Sequence, residues 1–162
     1  MMGFGNTIKE GIGVCKYFEK NKLILIYCSH SAGVTAILPV NEHVFTGSYD
    51  DKLRLFRRGE YMRHICEWNL EGGVWRLVLL SESDERIILL CCCMQAGVRM
   101  VTIELLGDLP SAKIGPLFCD KTEKSPLYYA ADFLGESKEH IVASSFYEKN
   151  IYIMQTKNLL PQ

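Results

Sequence analysis

Short apolar runs alternate with polar turns along most of the chain, and the runs recur in sets of four. The first set is 22–27, 34–38, 44–47 and 53–56, with Ser29-His30-Ser31-Ala32-Gly33 and the turn Ser48-Tyr49-Asp50-Asp51-Lys52 between its members. The second is 62–68, 74–80, 87–93 and 98–103, broken by Gly72-Gly73 and by Met94-Gln95-Ala96-Gly97. The third is 114–119, 127–134, 140–145 and 151–154, with the turn Tyr147-Glu148-Lys149-Asn150 before its last member. In Leu53-Arg54-Leu55-Phe56 and Ile151-Tyr152-Ile153-Met154 two aliphatic residues share one face, the period-two pattern of a strand. The connections are too short, and too rich in Gly, Ser, Asp and Asn, to hold amphipathic helices, so the strands pair antiparallel. The expected class is all-β.

Tyr49, Met94 and Tyr147 occupy equivalent turns, 45 and 53 residues apart. The first interval matches the ~40–45 residue period of a WD-type β-propeller blade, and an insertion at 105–113 lengthens the second. The pattern therefore predicts a partial WD-repeat β-propeller of three four-stranded antiparallel blades: 22–56, 62–103 and 114–154, with a tail at 155–162. Residues 1–21 form a leader outside the repeats, where Ile8, Ile12, Cys15 and Phe18 have helical spacing but Gly11 and Gly13 oppose a helix. A closed propeller takes about four to eight blades. Three blades expose an apolar face at each end, which predicts self-association through the open blade edges or derivation from a longer propeller.

Composition narrows the partners. The chain has 162 residues, 48% apolar, with 18 Lys and Arg against 19 Asp and Glu. That size is one domain or a piece of one. A net charge of -1 supplies no general attraction to nucleic acid or anionic lipid. No run approaches the ~18 apolar residues of a membrane span, and 1–10 lacks the basic flank and apolar centre of a secretory signal, so the expected location is cytoplasmic. Seven cysteines, an odd count at irregular spacing, read as reduced thiols. Neighbours on a strand point to opposite faces, so Cys91, Cys92 and Cys93 cannot converge on one metal ion. No metal or cofactor is expected.

Several strings stand out, and Gly-Gly-Val-Trp-Arg, Cys-Met-x-x-Gly and Ser-Phe-Tyr within them are more particular than the general blade pattern. The strings are Gly72-Gly73-Val74-Trp75-Arg76-Leu77, Cys93-Met94-Gln95-Ala96-Gly97-Val98, Tyr129-Ala130-Ala131-Asp132-Phe133 and Ser144-Ser145-Phe146-Tyr147-Glu148-Lys149-Asn150. With His30-Ser31-Ala32-Gly33-Val34 and 46–56, they resemble the WD-repeat diphthamide-biosynthesis family of diphthine methyl ester hydrolases, over about 29–154 and in the C-terminal part of that family's propeller. The resemblance implies a carboxylic ester hydrolase of diphthamide biosynthesis, releasing methanol and diphthine from methylated diphthine on translation elongation factor 2. The family commonly has His where Gln95 stands, Asp-His where Glu148-Lys149 stand, and Trp where Phe56 and Met154 stand. The alternative is a noncatalytic WD-repeat interaction scaffold or an inactive fragment, because the fold alone does not decide activity.

Ester hydrolysis needs an activated water or nucleophile and donors for a developing oxyanion. No Gly-x-Ser-x-Gly elbow, His-Glu-x-x-His pair or Walker loop is present. The candidate catalytic residues are His30, Asp50 and Asp132. Each has a structural reading as well: His30 bonded to a turn Asp or Ser, the two aspartates stabilising turns or blades. Trp75 and Arg76 are candidate substrate-binding residues, since the paired glycines bring backbone close and a guanidinium grips carboxylates bidentately; core packing is the competing reading of Trp75. Ser144 and Ser145 read as hydroxyls bonded to backbone, without a base to activate them. His43, His64 and His140 read as ordinary surface or strand histidines.

Overall fold

A computed structural model describes residues 13–14, 27–28, 30–59, 62–119, 126–135 and 139–156. The chain divides into two compact units, Met1–Ser31 and Ala32–Gln162. In the first, β1 (Gly13–Val14) pairs antiparallel with β2 (Tyr27–Cys28). The helical spacing at 8–18, most of the predicted strand 22–27 and the tail beyond 156 lie outside the described residues.

The second unit contains three antiparallel sheets. The first joins β3 (Val34–Val40), β4 (His43–Ser48), β5 (Lys52–Arg57) and β6 (Arg63–Asn69) in that order. The second joins β7 (Arg76–Glu82), β8 (Arg86–Cys92), β9 (Val98–Glu104) and β10 (Ser111–Phe118). The third holds β11 (Tyr128–Leu134), β12 (His140–Ser145) and β13 (Ile151–Gln155). Among the described residues there is no helix. The expected all-β class with antiparallel pairing holds.

Sheet membership differs from the sequence grouping by one strand. Residues 62–68 were expected to open the second set, yet β6 pairs with β5 in the first sheet, Leu53 opposite Trp68. Likewise β10, expected to open the third set, pairs with β9. Each of these strands thus completes the sheet that precedes it in sequence, while 70–75 crosses to the next sheet. The third sheet has no fourth strand among the described residues.

The crossing segment is held by backbone bonds. Leu70 N–H donates to the Asp51 carbonyl (2.8 Å) and Val74 N–H to that of Ser48 (2.9 Å). The Thr35 hydroxyl donates to the Val74 carbonyl. Gly47 is required for this approach: a Cβ there would lie 2.5 Å from Val74 Cγ1. At the next crossing Tyr128 N–H donates to the Met94 carbonyl (3.2 Å), so the same kind of joint recurs.

The sheets stack on two apolar layers, with alternate residues of β8 facing opposite ways. Ile87, Leu89 and Cys91 pack with Phe45, Leu53 and Leu55 of the first sheet. Ile88, Leu90 and Cys92 pack with Tyr128, Ala131 and Ile141 of the third. This explains the unbroken apolar run of β8, which is buried on both faces. It also separates the cysteines: Cys91 and Cys93 lie in one layer and Cys92 in the other. Burial pushes the Cys92 thiol up to about 12 and the Cys91 and Cys93 thiols well above their ordinary value. A thiol held protonated is a poor nucleophile. We therefore expect iodoacetamide at neutral pH to leave Cys91, Cys92 and Cys93 unmodified in the folded protein and to label them after denaturation, as read by peptide mass spectrometry; rapid native labelling would contradict this packing.

The two outward faces are not alike. On the first sheet Val44, Thr46, Arg54 and Phe56 are buried. On the third, Leu134, Ile151 and Ile153 stand exposed, the two isoleucines at 74% and 65%.

Candidate functional site

Five aromatic side chains form a continuous strip at one end of the three sheets. Tyr49 comes from the turn after β4, Trp75 from the approach to β7, Tyr129 from the start of β11, and Phe146 and Tyr147 from the turn after β12. Successive ring centroids lie 5.6, 4.8, 5.4 and 5.2 Å apart from Tyr49 through Tyr147. Neighbouring planes meet at 67°, 63°, 83° and 88°, the edge-to-face arrangement that aromatic quadrupoles favour. Trp75 is therefore a surface ring at 37% exposure, not a core side chain.

Local chain geometry sets the strip. Trp75 N–H donates to the Cys92 carbonyl (2.8 Å), fixing it at the mouth of the second sheet. Gly73 sits so close to the turns beside it that a Cβ would lie 2.7 Å from Met94 Sδ and 3.3 Å from Tyr49 Cδ1. The hairpin pairs Gly47 with Leu53, Cys92 with Val98 and Ser144 with Ile151 mark corresponding positions. Counting from them, Tyr49 and Met94 correspond to Phe146, and Tyr147 falls one place later because the third turn is one residue longer.

Beside the strip lies a hollow of about 200 Å³ lined by Arg76, Ala130, Asp132, Val142, Ser144 and Ile151 among others. Arg76 and Asp132, separate candidates in the sequence, face each other here at 3.9 Å, both about half exposed. The hollow thus combines a guanidinium, a carboxylate, the Ser144 residue and an aliphatic wall. Arg76 can hold a carboxylate or carbonyl oxygen, and Asp132 can accept a proton from water.

The other candidates lie elsewhere. Asp50 is enclosed in its turn: one carboxylate oxygen accepts from Lys52 N–H (3.2 Å) and the other from Arg54 (3.1 Å). Arg54 also bonds Glu67 (2.7 Å), whose carboxyl is held below its usual range by hydrogen bonding to Lys52, against a smaller opposing effect of burial, with Arg54 adding to the lowering. These contacts agree with the turn-stabilising reading of Asp50. His30 belongs to the first unit, where it is half-buried. Ser145 has its hydroxyl buried with no hydrogen-bond partner, while Ser144 reaches the hollow.

Sequence reasoning passed over a second hollow of about 390 Å³, lined by residues including Glu42, His43, Arg57, Arg63, His64 and Asp108. Burial lowers the His43 pKa, with Glu42 opposing and Arg57 reinforcing the change. Its residues come from strand ends and loops scattered over the first two sheets, and no local motif joins them. Tyr129 was also missed as a site residue; it opens one of the strings that carry the resemblance, but only the fold brings its ring against Trp75.

No protein-family model matches the chain. Among solved structures, the crystal structure of the computationally designed Ika4 protein superposes with a TM-score of 0.41 at 13% identity, over 78% of this chain and 92% of that one. Diphthine methyltransferase of Homo sapiens is 26% identical over 107 residues, covering 64% of this chain and 23% of that protein. The chain thus spans less than a quarter of the length of the curated relative it matches.

Proposed function

We propose that the three sheets are consecutive blades of a WD-type β-propeller, and that the chain acts in diphthamide biosynthesis as a diphthine methyl ester hydrolase. Its substrate is methylated diphthine on translation elongation factor 2, in the cytoplasm. The observation that carries this reading is the likeness to diphthine methyltransferase together with the pairing of Arg76 and Asp132 in one hollow. In the reaction Asp132 takes a proton from water as the oxygen adds to the ester carbonyl. Arg76 holds the oxygen on which negative charge develops. The tetrahedral adduct collapses, the C–O bond to the methoxy group breaks, and the proton held by Asp132 passes to the departing methoxy oxygen, giving methanol and the carboxylic acid, which then releases its proton to water to leave the carboxylate.

The test is methanol release from elongation factor 2 carrying methylated diphthine, with loss of the methyl group followed by mass spectrometry. Arg76→Ala and Asp132→Asn are each expected to lower kcat/KM by roughly ten- to 100-fold, about 1.4–2.7 kcal/mol of transition-state stabilisation. His43→Ala, in the other hollow, is the control and should keep full turnover. Unchanged hydrolysis by both variants would remove the site assignment. A second reading, a noncatalytic interaction scaffold, is favoured by the absence of an imidazole among the residues lining the smaller hollow. It would stand if the chain released no methanol.

A further inference from the structure

The insertion at 105–113 is no part of the repeating blade pattern, and the fold gives it a place. Most of it lies between β9 and β10, where Leu105, Asp108 and Pro110 help to wall the larger hollow of about 390 Å³. Gly107, at φ +95°, turns the chain there. Asp108 lines the hollow from this loop, and Asp84 lines it from the turn between β7 and β8. That turn does not depend on the Asp84 side chain, because Ser83 N–H donates to the Arg86 carbonyl (2.8 Å) and Arg86 N–H to the Ser83 hydroxyl (3.1 Å). Among the described residues neither carboxylate has a hydrogen-bond or ion-pair partner.

The wall from the first sheet carries the opposite charge. Arg57 closes β5 and Arg63 opens β6, directly opposite each other in the register, so their side chains leave the same face of the sheet. Like charges so placed repel unless an anion lies between them. Glu42 meets Arg57 at 3.1 Å, but both side chains are more than half exposed, and a pair of this kind holds weakly. Arg63 has no ion-pair partner among the described residues. With Glu42 set against one of the two guanidiniums, this wall keeps one positive charge, and the second-sheet wall has two negative ones. His43, opposite Arg57 in the same row, is held neutral by burial and adds no charge.

That pattern selects a ligand with one anionic and two cationic groups. Two guanidiniums grip a carboxylate, and each aspartate takes a cation. The volume is that of a small-molecule site.

We propose that this hollow binds a free basic amino acid, its α-carboxylate between Arg57 and Arg63 and its two cationic groups at Asp84 and Asp108. Arg76 opens β7 whereas Asp84 follows the other end of that strand, so the site lies apart from the ester hollow and shares no residue with it. It goes beyond the hydrolase reading and does not rest on it.

The experiment is calorimetric titration of the full chain with L-arginine and with L-lysine. Argininamide, which lacks the carboxylate, N-acetylarginine, which lacks the α-ammonium, and inorganic phosphate are the comparison probes. Arginine or lysine should bind saturably, with arginine or lysine about tenfold tighter than either blocked form. Arg63→Met and Asp108→Asn should each weaken that binding by about tenfold. Both side chains are exposed, and Asp84→Asn, on a turn that Ser83 closes, gives a second carboxylate variant that keeps the fold. Equal binding of argininamide and arginine would overturn the carboxylate seat. Phosphate binding as tightly as arginine would overturn the dipolar ligand, and no saturable binding of either amino acid would overturn the site. None of these readouts involves an ester, so the methanol assay tests hydrolysis separately.

Discussion

Gly72→Ala is expected to destabilise the sheet unit by about 3 kcal/mol, near the upper end of what added bulk in a packed site costs. The added Cβ would lie 2.2 Å from the Cys93 carbonyl oxygen and 2.6 Å from Ala96 Cβ. Neither atom is the free end of a flexible side chain. Both belong to a turn already closed by Cys93 N–H to the Gly97 carbonyl (2.7 Å) and Ala96 N–H to the Cys93 carbonyl (2.8 Å). Relief requires the turn to move, and Gly97 cannot yield easily, since it sits at φ +85° with Phe118 against it. Gly107→Ala is the comparison. Gly107 also has positive φ, at +95°, but nothing stands within 4 Å of an added Cβ. Its cost should be only the backbone strain of about 1 kcal/mol. Urea unfolding of both variants checks the ranking, and equal losses would show that crowding at Gly72 is not what fixes the crossing segment.

The strands were legible in the sequence because their signal is local. Period-two alternation in β5 and β13, and the continuous apolar run of β8, follow directly from which faces each strand buries. Pairing was less legible. Residues 63–69 carry apolar positions that could complete either of two adjacent sheets, and links of nearly equal length on both sides leave no local signal to decide between them. Exposed Ile151 and Ile153 on the last strand agree with the expectation of an uncovered apolar face at that end. For the site, Trp75 and Arg76 could be singled out by the glycine pair before them. That Arg76 meets Asp132, and that Trp75 meets both Tyr49 and Tyr129, depends on the stacking of sheets far apart in sequence. Asp50 shows the converse: its turn chemistry was readable, but its reach to Arg54 depends on the hairpin register.

Asp50→Ala is expected to cost about 3 kcal/mol of stability while leaving hydrolysis per folded molecule unchanged. The Arg54 side chain is 9% exposed and that of Asp50 4%, so this is a buried ion pair. Removing one member of such a pair leaves a desolvated charge behind, and that penalty exceeds the loss of the contact itself. Glu67 still accepts from Arg54, but its own side chain is one-third exposed and partly shared with Lys52. The turn suffers as well, because Lys52 N–H loses its acceptor. Asp50→Asn should lose less, about 1–2 kcal/mol, since an amide oxygen can still accept from Lys52 while the charge is gone. The double variant Asp50→Ala/Arg54→Met separates the two causes: with the guanidinium removed, most of the loss should be recovered. Denaturant midpoints for the three variants, with methanol release normalised to the folded fraction, decide the role of Asp50. Full stability with loss of turnover in Asp50→Ala would make it a catalytic base instead of the anchor of its turn.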